Sequence, residues 1–97
     1  MERGGSVYVM TNKLRTTIYI GVTSNLFARI QEHRNHDYKG SFTDRYRLEI
    51  LVYYESFSTI QEAISREKEL KKWRREKKNE LIKKSNSELK DLYEEII

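Results

Sequence analysis

Apolar and polar residues alternate in two short runs near the N-terminus, and a period of two is the signature of strands. Residues 6–11 and 17–22 are rich in Val, Ile, Tyr and Thr. The polar stretch 12–16 between them is short enough for an antiparallel hairpin. The spacing then becomes helical. Leu26, Phe27 and Ile30 lie on one side of a predicted helix over 25–33, with Thr23 or Ser24 as its N-cap. Residues 35–45 are polar, include Gly40 and Ser41, and read as a loop. The run 47–55 holds Leu48, Ile50, Leu51, Val52, Tyr53 and Tyr54, which suits a strand buried on both faces. Ser58/Gln61 and Thr59/Glu62 are both capping-box pairs, and they open a helix predicted from Thr59 to about Arg74. A further helix is expected over 75–84, then a break at Ser85-Asn86-Ser87 and a short helix over 88–94. The predicted fold is α/β in the α+β sense. A small three-stranded, mainly antiparallel sheet is flanked by helices in the order ββαβαα, with an acidic helix or tail over 85–97.

Composition narrows the class. The chain has 97 residues, no Cys and no Pro, with 37% hydrophobic and 35% charged positions. That length is expected to form one domain over 1–97, and the clustered apolar runs argue against disorder. Disulfides and Cys-ligated zinc are excluded, and two His in all leave little for a His-rich metal site. No run approaches the ~20 apolar residues of a membrane span, and residues 1–6 lack the apolar stretch of a secretory signal. The expected location is cytoplasmic, with no membrane partner.

The net charge of +4 is unevenly distributed. Residues 66–84 carry ten Lys/Arg against four Glu, and residues 85–97 carry one Lys against four acids. Within the basic segment, Lys71, Lys72, Arg74, Arg75, Lys77 and Lys78 are the candidate phosphate-binding cations. A solvated helix face laced with Glu–Lys pairs is the plainer reading of the same run. The acidic tail either folds back on this basic helix or keeps the chain soluble.

Three features break the pattern. Glu67 falls between Ala63, Ile64 and Leu70 in helical spacing, so a carboxylate interrupts an apolar stripe. Such a group needs a cation, hydrogen-bond donors or a metal, and a buried ion pair or the wet edge of the stripe satisfies the pattern equally. Arg29 and His33 are four apart and share a helix face. Together they suit a phosphate grip with a proton carrier, or a plain surface pair. Tyr8 and Tyr19 sit on the hairpin strands with ten residues between them, as core residues or as participants in chemistry, and Gly21, just after the second, allows close approach of a phosphate or a helix.

Taken together, these residues resemble the GIY-YIG nuclease family. Ser6-Val7-Tyr8 stands for the first motif, with Ser and Val in place of Gly and Ile, and Tyr19-Ile20-Gly21 is the second motif intact. The helix Ser24 to Ile30 is similar to the one bearing the family's Arg, which falls on Arg29, with His33 one turn later. Glu62 to Lys68 is similar to the helix bearing the family's metal-binding Glu, which falls on Glu67, and Asn79 coincides with an Asn of several members. The likeness continues through Gly40-Ser41-Phe42-Thr43, 51–55 and 72–78, and points to small stand-alone bacterial proteins related to the incision domain of excision-repair nucleases.

The resemblance implies an endonuclease acting on DNA, in repair or recombination, with one Mg²⁺ or Mn²⁺ ion on Glu67. It implies that Arg29 stabilises the transition state, Tyr8 serves as base with Tyr19 orienting the water, His33 carries a proton, and Asn79 belongs to the same site. Branched or single-stranded DNA is an expected substrate, and a protein partner is expected to supply targeting. The competing readings are a non-catalytic basic nucleic-acid-binding module and an accessory subunit of a repair complex.

Overall fold

The β-branched runs pair as the pattern predicts. The structure, a computed structural model, describes residues 4–97; residues 1–3, part of the segment read for a secretory signal, lie outside it. Strand β1 (Gly5–Thr11) and strand β2 (Ile18–Thr23) form an antiparallel hairpin in which Tyr8 faces Gly21 and Met10 faces Tyr19. The hairpin turn is held by Asn12, whose Oδ1 accepts the backbone N–H groups of Thr16 and Thr17. Helix α1 (Leu26–Arg34) follows, then α2 (Phe42–Arg45), β3 (Ile50–Phe57), α3 (Ile60–Lys71), α4 (Arg75–Ser85) and α5 (Tyr93–Ile96). The sheet order is β2-β1-β3, and both pairings are antiparallel.

Several boundaries differ from the sequence reading for local reasons. Asn25, not Thr23 or Ser24, caps α1; its side chain accepts the N–H of Ala28. The segment read as a loop contains α2, which has too few residues to show a hydrophobic period and is instead started by the Ser41 side chain accepting the Asp44 N–H. Strand β3 starts three residues late because Arg47 adopts a positive φ of 55°. Of the two capping boxes, the chain uses Thr59, and α3 ends at Lys71 rather than Arg74. The final helix covers Tyr93–Ile96, not 88–94, since Leu89 has a φ of 53° and breaks the helical path.

Alternation divides the core into two layers. Val7, Val9 and Ile20 project to one face, where Ala63 and Leu70 of α3 and Ile82 of α4 cover them. Tyr8 and Met10 project to the other, against Ile30 of α1, Leu48 and Leu51. A register shift opposite Val9 and Met10 gives β3 an extra residue, so Leu51 joins the second layer while Val52 and Tyr53 join the first. Strand β3 is thus covered on both faces, as its apolar run predicts, although it lies at the edge of the sheet.

That edge is closed by the C-terminal segment. Leu92 N–H donates to Leu51 C=O (2.7 Å), Asn86 Nδ2 donates to Val52 C=O (3.0 Å), and Asp91 accepts from Leu51 N–H (3.3 Å). Leu89 packs on the first layer; Leu92, Tyr93 and Ile96 pack on the second. The acidic tail therefore does not neutralise the basic helix. Its Asp91 pairs with Arg34 of α1 (3.0 Å), and Glu95 accepts from Tyr54.

Candidate active site

The second layer is aliphatic at the β3 side and aromatic toward β2. Tyr8 lies flat across Gly21 of the neighbouring strand: a Cβ at Gly21 would stand 2.4 Å from the Tyr8 Oη and Cζ. The glycine makes room for the ring, and the ring, fully buried, carries its hydroxyl to His33, with Oη 2.9 Å from Nε2. His33, on the last turn of α1, is 7% exposed, and its Nδ1 lies 3.1 Å from Thr43 Oγ1 of α2. Thr43 Oγ1 in turn lies 3.2 Å from Ser41 Oγ. A continuous line of hydrogen-bonding groups thus runs from buried Tyr8 to Ser41.

Burial, reinforced by neighbouring Tyr19 and opposed by Arg29, pushes the Tyr8 phenol far above its ordinary range. Burial, and then the positive charge of Arg29, pulls His33 below the ordinary imidazole value, so at neutral pH it holds one proton on its two nitrogens. Tyr19 completes the cluster. Its ring centroid is 6.2 Å from Tyr8, 6.0 Å from His33 and 6.4 Å from Phe42.

Tyr19 lines two adjoining clefts. One, of about 380 Å³, is bounded by Arg29, His33, Tyr38 and residues 41–43 of the α2 turn. The other, of about 350 Å³, is bounded by Ile18, Ile20, Phe42, Lys71 and Lys78. Arg29 is held at the rim by Glu32 (3.2 Å), with its guanidinium carbon 5.9 Å from the Tyr38 ring.

Glu67 occupies the stripe position predicted for it. It lies on α3 between buried Ala63 and Leu70, and its side chain is 14% exposed. Its partner is Lys71 (2.9 Å), and the Lys71 ammonium sits 5.9 Å from the Tyr19 ring. Lys71 therefore links the carboxylate to the tyrosine at the open β2 edge. The structure brings Tyr8, Tyr19, Arg29 and His33 into one cluster, with Glu67 reaching it through Lys71. Asn79 lies on α4, where its side-chain oxygen accepts from Arg75 Nε.

The basic run is divided. Lys71 and Lys78 border the second cleft, Lys77 lies 4.0 Å over the Trp73 ring, Arg75 donates to Thr16 C=O, and Lys72 and Arg74 are exposed. Sequence reasoning missed Thr43, the second hydrogen-bond partner of His33. A threonine in a polar stretch gives no signal of burial; only its place in Gly40-Ser41-Phe42-Thr43 pointed to it.

A family model described as the GIY-YIG catalytic domain matches residues 4–80, a span that includes both strand motifs and α3 but ends before the tail. The chain belongs to the GIY-YIG family, a superfamily of nucleases. Within it, the chain is similar to the UPF0213 proteins. One from Staphylococcus haemolyticus is 38% identical over 76 residues, covering 78% of this chain and 90% of that protein. One from Syntrophus aciditrophicus is 35% identical over 69 residues, covering 71% and 79%. The solution NMR structure of a UPF0213 protein from Bacillus halodurans matches with a TM-score of 0.57 at 25% identity, over 91% of this chain and 92% of that one. Among the described residues no helix is long and apolar enough to cross a membrane.

Proposed function

We propose that this chain is a divalent-metal-dependent DNA endonuclease whose reaction centre is the cleft between Tyr19, Arg29 and His33. The observation that carries the reading is convergence. Strand β2, α1 and the turn after it place the Tyr19 and Tyr38 phenols, an imidazole and a guanidinium around one cleft, buried Tyr8 bonds that imidazole from behind, and Lys71 and Lys78 border the next.

The donor chemistry fits a hard cation. Glu67 is a largely buried carboxylate whose present partner is itself a cation. Among the described residues no three His, Cys, Asp or Glu side chains form a cage, so Mg²⁺ or Mn²⁺ would be held by Glu67 with waters and substrate oxygens. Bound there, the ion supplies charge neutralisation at the phosphoryl group and lowers the pKa of a coordinated water. Arg29, at the cleft rim, holds phosphoryl oxygens through its planar fork. Of the two strand tyrosines, Tyr19 is the one with access to the cleft, and it orients or deprotonates the attacking water. Tyr8 is fully buried and its proton is held tightly, so it acts on His33 rather than as the base, the reverse of the order expected from sequence. His33, neutral and linked on both sides, is oriented at the cleft by Tyr8 and Thr43, where it exchanges a proton with the water and oxygens of the reacting group.

A binding module without catalysis is favoured by one observation: the Glu67–Lys71 ion pair is what a merely structural carboxylate shows. A nicking assay on supercoiled plasmid separates the two. With Mg²⁺ or Mn²⁺ the wild type cuts, EDTA stops it, and Glu67→Ala lowers the rate by about 10³-fold while retaining the fold. Cleavage by Glu67→Ala at the wild-type rate removes the assignment, and salt-sensitive binding with no cleavage under any condition selects the binding module.

A further inference from the structure

The α2 turn presents two aromatic rings to solvent beside the cleft, and the mechanism above uses neither. Phe42 is 48% exposed and Tyr46, the C-cap residue, is 46% exposed. They are four residues apart, so they share one side of the turn, and their ring centroids are 4.8 Å apart. The opposite side of the turn is anchored. Thr43 is buried against His33, its carbonyl accepts the Leu48 N–H (2.9 Å), and Asp44 is held by His36 (2.8 Å) and by the Gly40 N–H (2.8 Å). Leu48, five positions from Thr43, is fully buried, so apolar side chains of this segment can reach the core. Phe42 and Tyr46 do not.

Charge indicates what covers them. Phe42 forms a wall of both clefts at Tyr19, one bounded by Arg29 and the other by Lys71 and Lys78. Tyr46 forms a wall of a cleft of about 590 Å³ on its other side, bounded by Lys13 and Arg47 and by Glu49, whose carboxylate is paired with His36. An aromatic surface with cations at both ends, continuous with a phosphodiester-cleaving centre, matches a nucleic-acid strand: phosphates meet the cations and a base face meets the rings.

We propose that Phe42 and Tyr46 form a ledge on which an unpaired nucleobase stacks next to the bond to be cut, so that the chain selects strands whose bases are unstacked there. This rests on the nuclease reading of the adjoining cleft. A base inside a duplex has both faces covered by its neighbours and offers none to the ledge; a single strand, a flap or a splayed junction does. Because the turn is pinned through Thr43 and Asp44, the rings are presented in place, and little ordering entropy opposes stacking.

The test measures binding, in EDTA, of a fluorescein-labelled oligothymidylate and of a hairpin duplex of similar length. The wild type binds the single strand more tightly. Phe42→Ala/Tyr46→Ala weakens single-strand binding about tenfold or more, duplex binding changes less than about twofold, and Phe42→Tyr/Tyr46→Phe restores the wild-type preference. Melting temperatures of the variants verify the fold. Equal weakening on both substrates, no change on either, or no single-strand preference in the wild type overturns the ledge. Because EDTA separates binding from cleavage, a wild type that never cuts but loses single-strand binding in the double variant defeats the nuclease reading alone. A wild type that cuts while the double variant binds normally defeats the ledge alone.

Discussion

Two buried tyrosines, one on each face of the sheet, show what separates a site from a core. Tyr53 on β3 is pushed above the ordinary phenol range by burial and by Glu55, to which it donates. Glu55 is gripped by the Arg66 fork (2.9 and 3.1 Å), and Arg66 is further tied to Glu69 and lies over Trp73. Every group in that network is answered by another, and it closes on the α3 face. Tyr8 is shifted in the same direction, also chiefly by burial. Its network instead opens, through His33 and Thr43, into a cleft lined by Arg29 and Tyr19. A raised phenol pKa marks burial in both places; the connection to the cleft is what distinguishes Tyr8.

The sharpest way to break this contrast is at Gly21. Gly21→Ala drives a methyl group into a ring that is fully buried and has nowhere to move. The expected cost is about 2–3 kcal/mol, seen as a melting temperature lower by roughly 10–20 °C. A shift of only a degree or two shows that Tyr8 is free to give way. The next test removes each hydroxyl. Tyr8→Phe and Tyr53→Phe each cost about 1 kcal/mol of stability. Only Tyr8→Phe lowers cleavage, by about tenfold or more, and displaces its pH profile; equal effects on cleavage erase the distinction.

The smallest effect is on stability against pH. His33 has its folded pKa below the unfolded value of about 6.5. As pH falls through that value, the unfolded chain takes up a proton that the folded chain refuses. The contribution of His33 is therefore present above about pH 6.5 and lost below it. Melting temperatures from pH 7 to 5 fall more steeply for the wild type than for His33→Asn. Parallel slopes contradict the burial assigned to His33.

The strands were legible because β-branched residues alternate, and α1, α3 and α4 because Leu and Ile recur at helical spacing. Glu67 was legible for the same reason: a carboxylate in an apolar stripe is visible as an exception. The α2 turn was not, since its stability comes from the Ser41 cap and from the His33 and His36 contacts, none of which has a period. Lys71 looked like one cation among six, and only the folded chain places it between Glu67 and Tyr19. The tail misled for a related reason. Its charge offered the basic helix as one partner, whereas backbone groups on the β3 edge, Arg34, Arg15 and Tyr54 hold it.

The closure of β3 by that tail has a consequence for biosynthesis. Leu51 is translated about forty residues before Leu92, the residue whose N–H covers its carbonyl. The tail is the last part of the chain to be made, so the β3 edge is covered only by a late docking step, after the rest of the sheet can form. Until the tail docks, the edge presents unpaired carbonyls to any neighbouring chain.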